Sequence, residues 1–200
     1  MLKKFVFFAI NGYMKFYKII LFLFLITNAH SNDEFKLTKI IDLNNPWSMT
    51  FLNNEEVLIS DKEGQIQNIN LKNKTINKVN HNLNYKVDGQ GGLLEILKHK
   101  DNIYLCYTED RGLGKTSTSI AKAKFTENNL NFKNIFQANP PINSGYHFGC
   151  RMVIQDDKYL YASAGERGGG NIAQNFNQHP GSIIKINLDG SVPKDNPRFK

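Results

Sequence analysis

An all-β chain folded as blades of a β-propeller is what this sequence predicts, on three observations. Beyond residue 35 no window of ten or more residues holds a 3.6-residue apolar period. Short alternating runs such as Phe35–Ile40, Gln65–Ile69 and Ser182–Ile186 are instead separated by Asn, Asp and Gly. The third observation is a recurring unit of apolar strand, polar turn, second apolar strand and charged turn closing on glycine. It occurs at Phe51–Gly64, Ile96–Gly112 and Val153–Gly168, with starts about 45 and 57 residues apart. Each copy is followed by one or two further strand patterns, and four strands per unit of this length is the pattern of a propeller blade. About three blades are present.

The first 31 residues stand apart from this pattern. They hold Lys3, Lys4, Lys15 and Lys18 and no acid, then the apolar run Ile19–Ile26, then small residues around Ala29 and Ser31. Basic, apolar, then small is the layout of a secretory signal peptide, and the run is short for a membrane span. Met14 followed by Lys15 offers a tidier start for such a signal. Residues 1–31 are therefore expected to be an export signal, residues 35–200 the folded domain, and the destination periplasmic or secreted. The formal charge of +7 drops to +3 without the four lysines of this segment. The remaining cations are scattered among Asn, Asp and Glu and form no basic stripe with interleaved aromatics, which argues against a nucleic-acid partner.

Only two cysteines, Cys106 and Cys150, are present, both inside apolar strand patterns. An oxidising destination permits a disulfide, while buried free thiols are also common in such strands, and the sequence leaves both open. No CxxC pair or Cys/His cluster has zinc spacing.

In a propeller the segments leading into each blade's innermost strand gather at one mouth of the central channel. Three such segments are visible: Asn45–Ser48, Asp88–Leu93 and Ser144–Arg151. In the last, His147 lies between Gly145 and Gly149 just before the strand Met152–Ile154, so little side-chain bulk blocks approach to its imidazole. That suits a base at a pocket floor, and a hydrogen-bonded turn histidine is the alternative on local sequence alone. Gly89, Gly91 and Gly92 around Gln90 permit close backbone approach or simply a tight turn.

Six motifs in order carry a resemblance. Pro46-Trp47, Gly89-Gln90-Gly91-Gly92-Leu93-Leu94, Tyr107-Thr108-Glu109, His147-Phe148-Gly149, Gly165-Glu166-Arg167-Gly168 and the stretch Gly181–Pro197 together resemble the glucose/sorbosone dehydrogenase family, the soluble aldose dehydrogenases that depend on pyrroloquinoline quinone (PQQ). The resemblance implies a six-bladed propeller holding PQQ and Ca²⁺ at its channel mouth, and periplasmic oxidation of an aldose at C1 to the lactone. A soluble or membrane-borne acceptor would then take the electrons. His147 matches the family's general base, Gln90 a pocket residue beside base and sugar, and Arg167 a polar residue at the pocket edge. Cys150 stands where such relatives often have glycine, and Tyr146 where some carry an acid.

The resemblance also implies that the cation ligands and the Arg and Lys groups for the quinone carboxylates lie in later blades, so no metal ligand is expected in this chain. It reads as the N-terminal portion of such an enzyme, inactive in isolation. Two other classes are compatible with a propeller. A metal-dependent lactonase would need carboxylates such as Glu55, Asp88 and Glu166 to converge on the axis, and a non-catalytic binding scaffold would need no chemistry at all.

Overall fold

The structure, a computed structural model, describes residues 35–197. The expected export signal at residues 1–31 lies outside the described residues. The chain divides into two units, residues 1–39 and 40–200. Of the first, the described residues 35–39 are irregular and exposed. The alternating run Phe35–Ile40 therefore does not form the strand its pattern suggests. Alternation produces a strand only where a neighbouring edge supplies ladder partners, and this run enters no sheet.

The second unit consists of three antiparallel blades. Strands β1 (Pro46–Phe51), β2 (Glu56–Asp61), β3 (Ile66–Asn70) and β4 (Thr75–His81) form the first. The second runs β5 (Leu93–His99), β6 (Asn102–Asp110), β7 (Thr116–Lys124) and β9 (Lys133–Gln137), while the two-residue β8 (Asn129–Leu130) reaches back to pair in parallel with β4. The third is β10 (Gly149–Gln155), β11 (Tyr159–Ala164) and β12 (Ser182–Asn187). The only helix among the described residues is a 3₁₀ turn at Gly170–Gln174. The three sequence copies are the three inner hairpins β1–β2, β5–β6 and β10–β11.

The pattern along β6 explains why the blades stack. Ile103, Leu105 and Tyr107 face the core shared with the first blade, joining Leu58, Ile66 and Val79. Tyr104 and Cys106, pointing the other way, join Phe148, Met152, Leu160 and Ile184 in the core shared with the third. A strand buried on both faces reads as one continuous apolar run, which β6 does. Each fully buried Leu or Ile here contributes about 1.5–3 kcal/mol. Within the core shared by the second and third blades a disulfide, Cys106–Cys150, joins the two, with Cα atoms 5.9 Å apart. Closing a loop of 44 residues stabilises by about 4 kcal/mol on the chain-entropy account.

All three inner strands carry one extra residue at the same place. The ladder slips between Pro46 and Ser48, between Leu93 and Ile96, and between Gly149 and Met152. A bulge bends the strand and re-aims the side chains before it. Side chains of the preceding blade hold the amides beyond it. The Ile96 N–H donates to Ser48 Oγ at 3.3 Å and Lys98 N–H to Thr50 Oγ1 at 3.0 Å. One blade further on, the Met152 N–H donates to the Glu95 carboxylate. Burial pushes the Glu95 carboxyl up, while that amide and Arg151, 3.7 Å away, favour its ionised form.

Candidate functional site

The three bulged strand starts converge on one cleft of about 430 Å³. Trp47 and Lys62 line it from the first blade, Gly89, Gln90 and Leu94 from the second, and His147, Phe148 and Gly149 from the third. A volume of this size suits a small-molecule ligand.

Backbone packing brings the second and third blades together here. Gln90 N–H donates to Gly145 O at 2.7 Å. A Cβ on Gly89, whose φ is +55°, would lie 2.3 Å from that same carbonyl, so only glycine admits the approach. Gly165 is under the same demand from the other side, because its Cβ would stand 1.9 Å from His147 O. Gly165→Ala is expected to push the His147 loop outward and destabilise by about 1–3 kcal/mol, as overpacking does. A urea midpoint equal to that of the parent protein would contradict the packing described.

His147 has φ +48°, in the left-handed region that side-chain-bearing residues seldom occupy. Two groups hold it there. Its backbone N–H donates to Gln90 Oε1 at 2.9 Å, and its Nδ1 meets the Glu166 carboxylate. The Gly168 N–H also donates to Glu166 Oε1, at 3.1 Å. His147's hydrogen bond, above all, holds the Glu166 carboxyl below its usual range. An ionised carboxylate only accepts, so Nδ1 carries a proton, and in the neutral ring that leaves the lone pair on Nε2. The pairing is complete above about pH 4.5, the ordinary value for Glu166, and is lost as pH falls through its lower folded-state value.

Gln90 and His147, singled out from sequence, are thus brought into contact. Arg167 is placed differently. It is buried at 3% exposure beneath the loop and lines no part of the cleft. Its Nε donates to Tyr146 O at 3.0 Å, Nη1 to Thr116 O at 3.1 Å, Nη2 to Thr116 Oγ1 at 2.7 Å, and Nη2 also to Ser144 O. The guanidinium stacks 3.6 Å above the Phe148 ring. Burial lowers its pKa to about 10, against a favourable pull from Asp88, so it remains a cation at neutral pH. Four donors are spent on backbone and a hydroxyl, which makes Arg167 a clamp for the loop carrying His147. The family resemblance implied the pocket edge, but acceptors far away in sequence turn it inward.

Glu166 appeared in the sequence only as a motif residue and as a carboxylate for the lactonase alternative, not as a partner of His147. The signal for it was in the hairpin register: Gly149 pairs with Ala164, and two further steps outward set His147 opposite Glu166. Among the described residues no three of His, Cys, Asp or Glu stand together as a cation site, and Glu55, Asp88 and Glu166 do not converge. A larger cleft of about 650 Å³ runs along β12 past Phe136 and His179. Burial pushes the His179 imidazole down, and its Nδ1 is occupied by the Asn139 N–H at 3.0 Å.

Residues 43–200 match the family described as Glucose / Sorbosone dehydrogenase. Aldose sugar dehydrogenase YliI of Escherichia coli (strain K12) is 27% identical over 167 residues, covering 79% of this chain and 45% of that protein. Quinoprotein glucose dehydrogenase B of Acinetobacter calcoaceticus is 25% identical over 209 residues, 86% of this chain and 43% of the relative. A crystal structure of a glucose dehydrogenase superposes with a TM-score of 0.75 at 28% identity, over 80% of this chain and 49% of that one. The chain spans less than half the length of each of these relatives.

Proposed function

The chain belongs to the glucose/sorbosone dehydrogenase family, and from that premise we propose that it supplies the general base of a PQQ-dependent aldose dehydrogenase that oxidises the sugar at C1 to the lactone. The observation that carries this reading is the imidazole of His147, fixed between Glu166 and Gln90 on the wall of a cleft that three blades share.

His147 Nε2 accepts the proton of the anomeric hydroxyl, and the Glu166 carboxylate stabilises the imidazolium that results. Because Glu166 already fixes the tautomer, no reorientation is needed when the proton arrives. Gln90 spends its oxygen on the His147 N–H, which leaves its amide NH₂ for a sugar hydroxyl. When bound, PQQ supplies the two-electron acceptor for the hydride leaving C1. The cleft fits such a planar, anionic group in part, since Trp47 offers an aromatic face and Lys62 a cation for one carboxylate. Calcium finds no cluster of ligands among the described residues, and no step is assigned to it. The remaining quinone and cation contacts would come from further blades, so residues 1–200 in isolation would be inactive.

We place the protein outside the cytoplasm, in the periplasm or secreted. The layout of residues 1–31 and the Cys106–Cys150 bridge support an oxidising destination. The test of function is dye reduction by the quinone-loaded enzyme with the further blades in place, given a panel of aldoses, PQQ and calcium. Reduction that requires both sugar and PQQ is the expected result. Lactone hydrolysis with a divalent metal and no dye reduction would replace this reading with the hydrolase, and neither activity would leave a binding scaffold.

A further inference from the structure

We infer that the Cys106–Cys150 disulfide is a positioning element for His147, holding in a cysteine a backbone conformation that glycine adopts without help. The inference rests on His147 being the base, but its test reads the imidazole directly and needs no turnover.

The backbone between the base and the strand behind it is left-handed three times over: φ is +48° at His147, +76° at Gly149 and +77° at Cys150. Glycine is indifferent to this region, whereas a Cβ crowds the following carbonyl and pulls the residue toward negative φ. Rotation at Cys150 would swing everything before it, His147 included, away from the strand that follows. The next two residues are anchored independently, Arg151 N–H to Ser163 Oγ at 3.0 Å and Met152 N–H to Glu95. On the other side His147 O accepts from the Arg167 N–H at 3.3 Å and Phe148 O from the Gly165 N–H at 3.0 Å and Thr118 Oγ1 at 2.8 Å, so the slack of the bulge lies at Gly149 and Cys150, and at Cys150 the side chain itself is fixed. Its sulfur is bonded to Cys106, a residue in the middle of β6 that pairs with Ile120 on β7 and lies between Leu105 and Tyr107, whose partners on β5 are Ile96 and Leu93. Both cysteines are almost fully buried, at 0% and 1% exposure, so the bridge is a standing tether shielded from solvent.

The proton on His147 Nδ1, donated to Glu166, gives the readout. In protein carrying ¹⁵N-labelled histidine it should appear as a downfield imidazole N–H resonance that His147→Gln removes. Replacing both cysteines by serine keeps a Cβ at residue 150 without the tether, and the resonance should be lost while the amide spectrum stays dispersed. Combining Cys106→Ser with Cys150→Gly removes tether and Cβ together, and the resonance should return. An unchanged resonance in the double-serine protein would overturn the proposal, as would its loss in a folded glycine variant. Failure of the glycine variant to fold would count against it equally, because the bridge would then serve the core rather than the loop.

Discussion

In the enzyme with its further blades in place, replacing His147 by alanine is expected to lower turnover per bound quinone by about 10²–10⁴-fold, the range a general base supplies. The cavity left behind is at the surface, since the side chain is 54% exposed, so folding should survive. Quinone binding should change little, because Trp47 and Lys62 are untouched. Gln90→Ala makes the useful contrast. It removes a sugar contact and one support of the His147 backbone while leaving the base itself, so its loss should fall chiefly on apparent sugar affinity. A histidine that served only as a turn residue would behave differently, with thermal stability and quinone binding falling together and turnover per loaded molecule preserved. Near-parental turnover in His147→Ala would end the assignment.

Arg167→Ala is expected to have the largest effect on stability, about 3–5 kcal/mol. Truncation leaves the partly buried Tyr146 O and Ser144 O and the buried Thr116 Oγ1 without their charged donor, removes one of the two donors of Thr116 O, and strips the cation from the Phe148 ring. Arg167→Lys should recover less than half of the loss, because an ammonium cannot reach acceptors spread around a planar fork. Urea denaturation measures both, and a loss under about 1 kcal/mol for alanine would show that water replaces the clamp.

The sequence made the blades legible because their physics is local. The continuous apolar run of β6 and the turn glycines after each inner hairpin are set by residues a few positions apart, and the unit recurs. The meeting of Gln90 with His147 was legible because both precede inner strands, and propeller geometry brings such segments to one mouth. What depended on distant partners was hidden. Arg167 resembled any charged turn residue until Thr116 and the loop carbonyls, up to 51 residues away, surrounded it. Glu166 needed the register of β10 on β11, which a bulge makes difficult to count. The cysteine pairing required knowing that Cys106 faces the third blade rather than the first. Phe35–Ile40 misled for the opposite reason: its alternation is genuine, but a pattern without a sheet to join has no structural outcome.

The ties between blades give the molecule a direction of assembly. Three amides of the bulged inner strands are held by an oxygen of the earlier blade: Ile96 by Ser48, Lys98 by Thr50, Met152 by Glu95. A chain threading outward from its N-terminus thus carries a finished template before the strand that needs it has emerged. Hydroxyls of the earlier blade also donate forward, Ser60 Oγ to Leu94 O at 2.6 Å and Thr118 Oγ1 to Phe148 O at 2.8 Å, so each edge offers donors and acceptors in a register that a misplaced strand cannot match. The ring would be laid down as a ratchet, each blade setting the angle of its successor, with the base-bearing loop of the third blade seated only after the first two have closed.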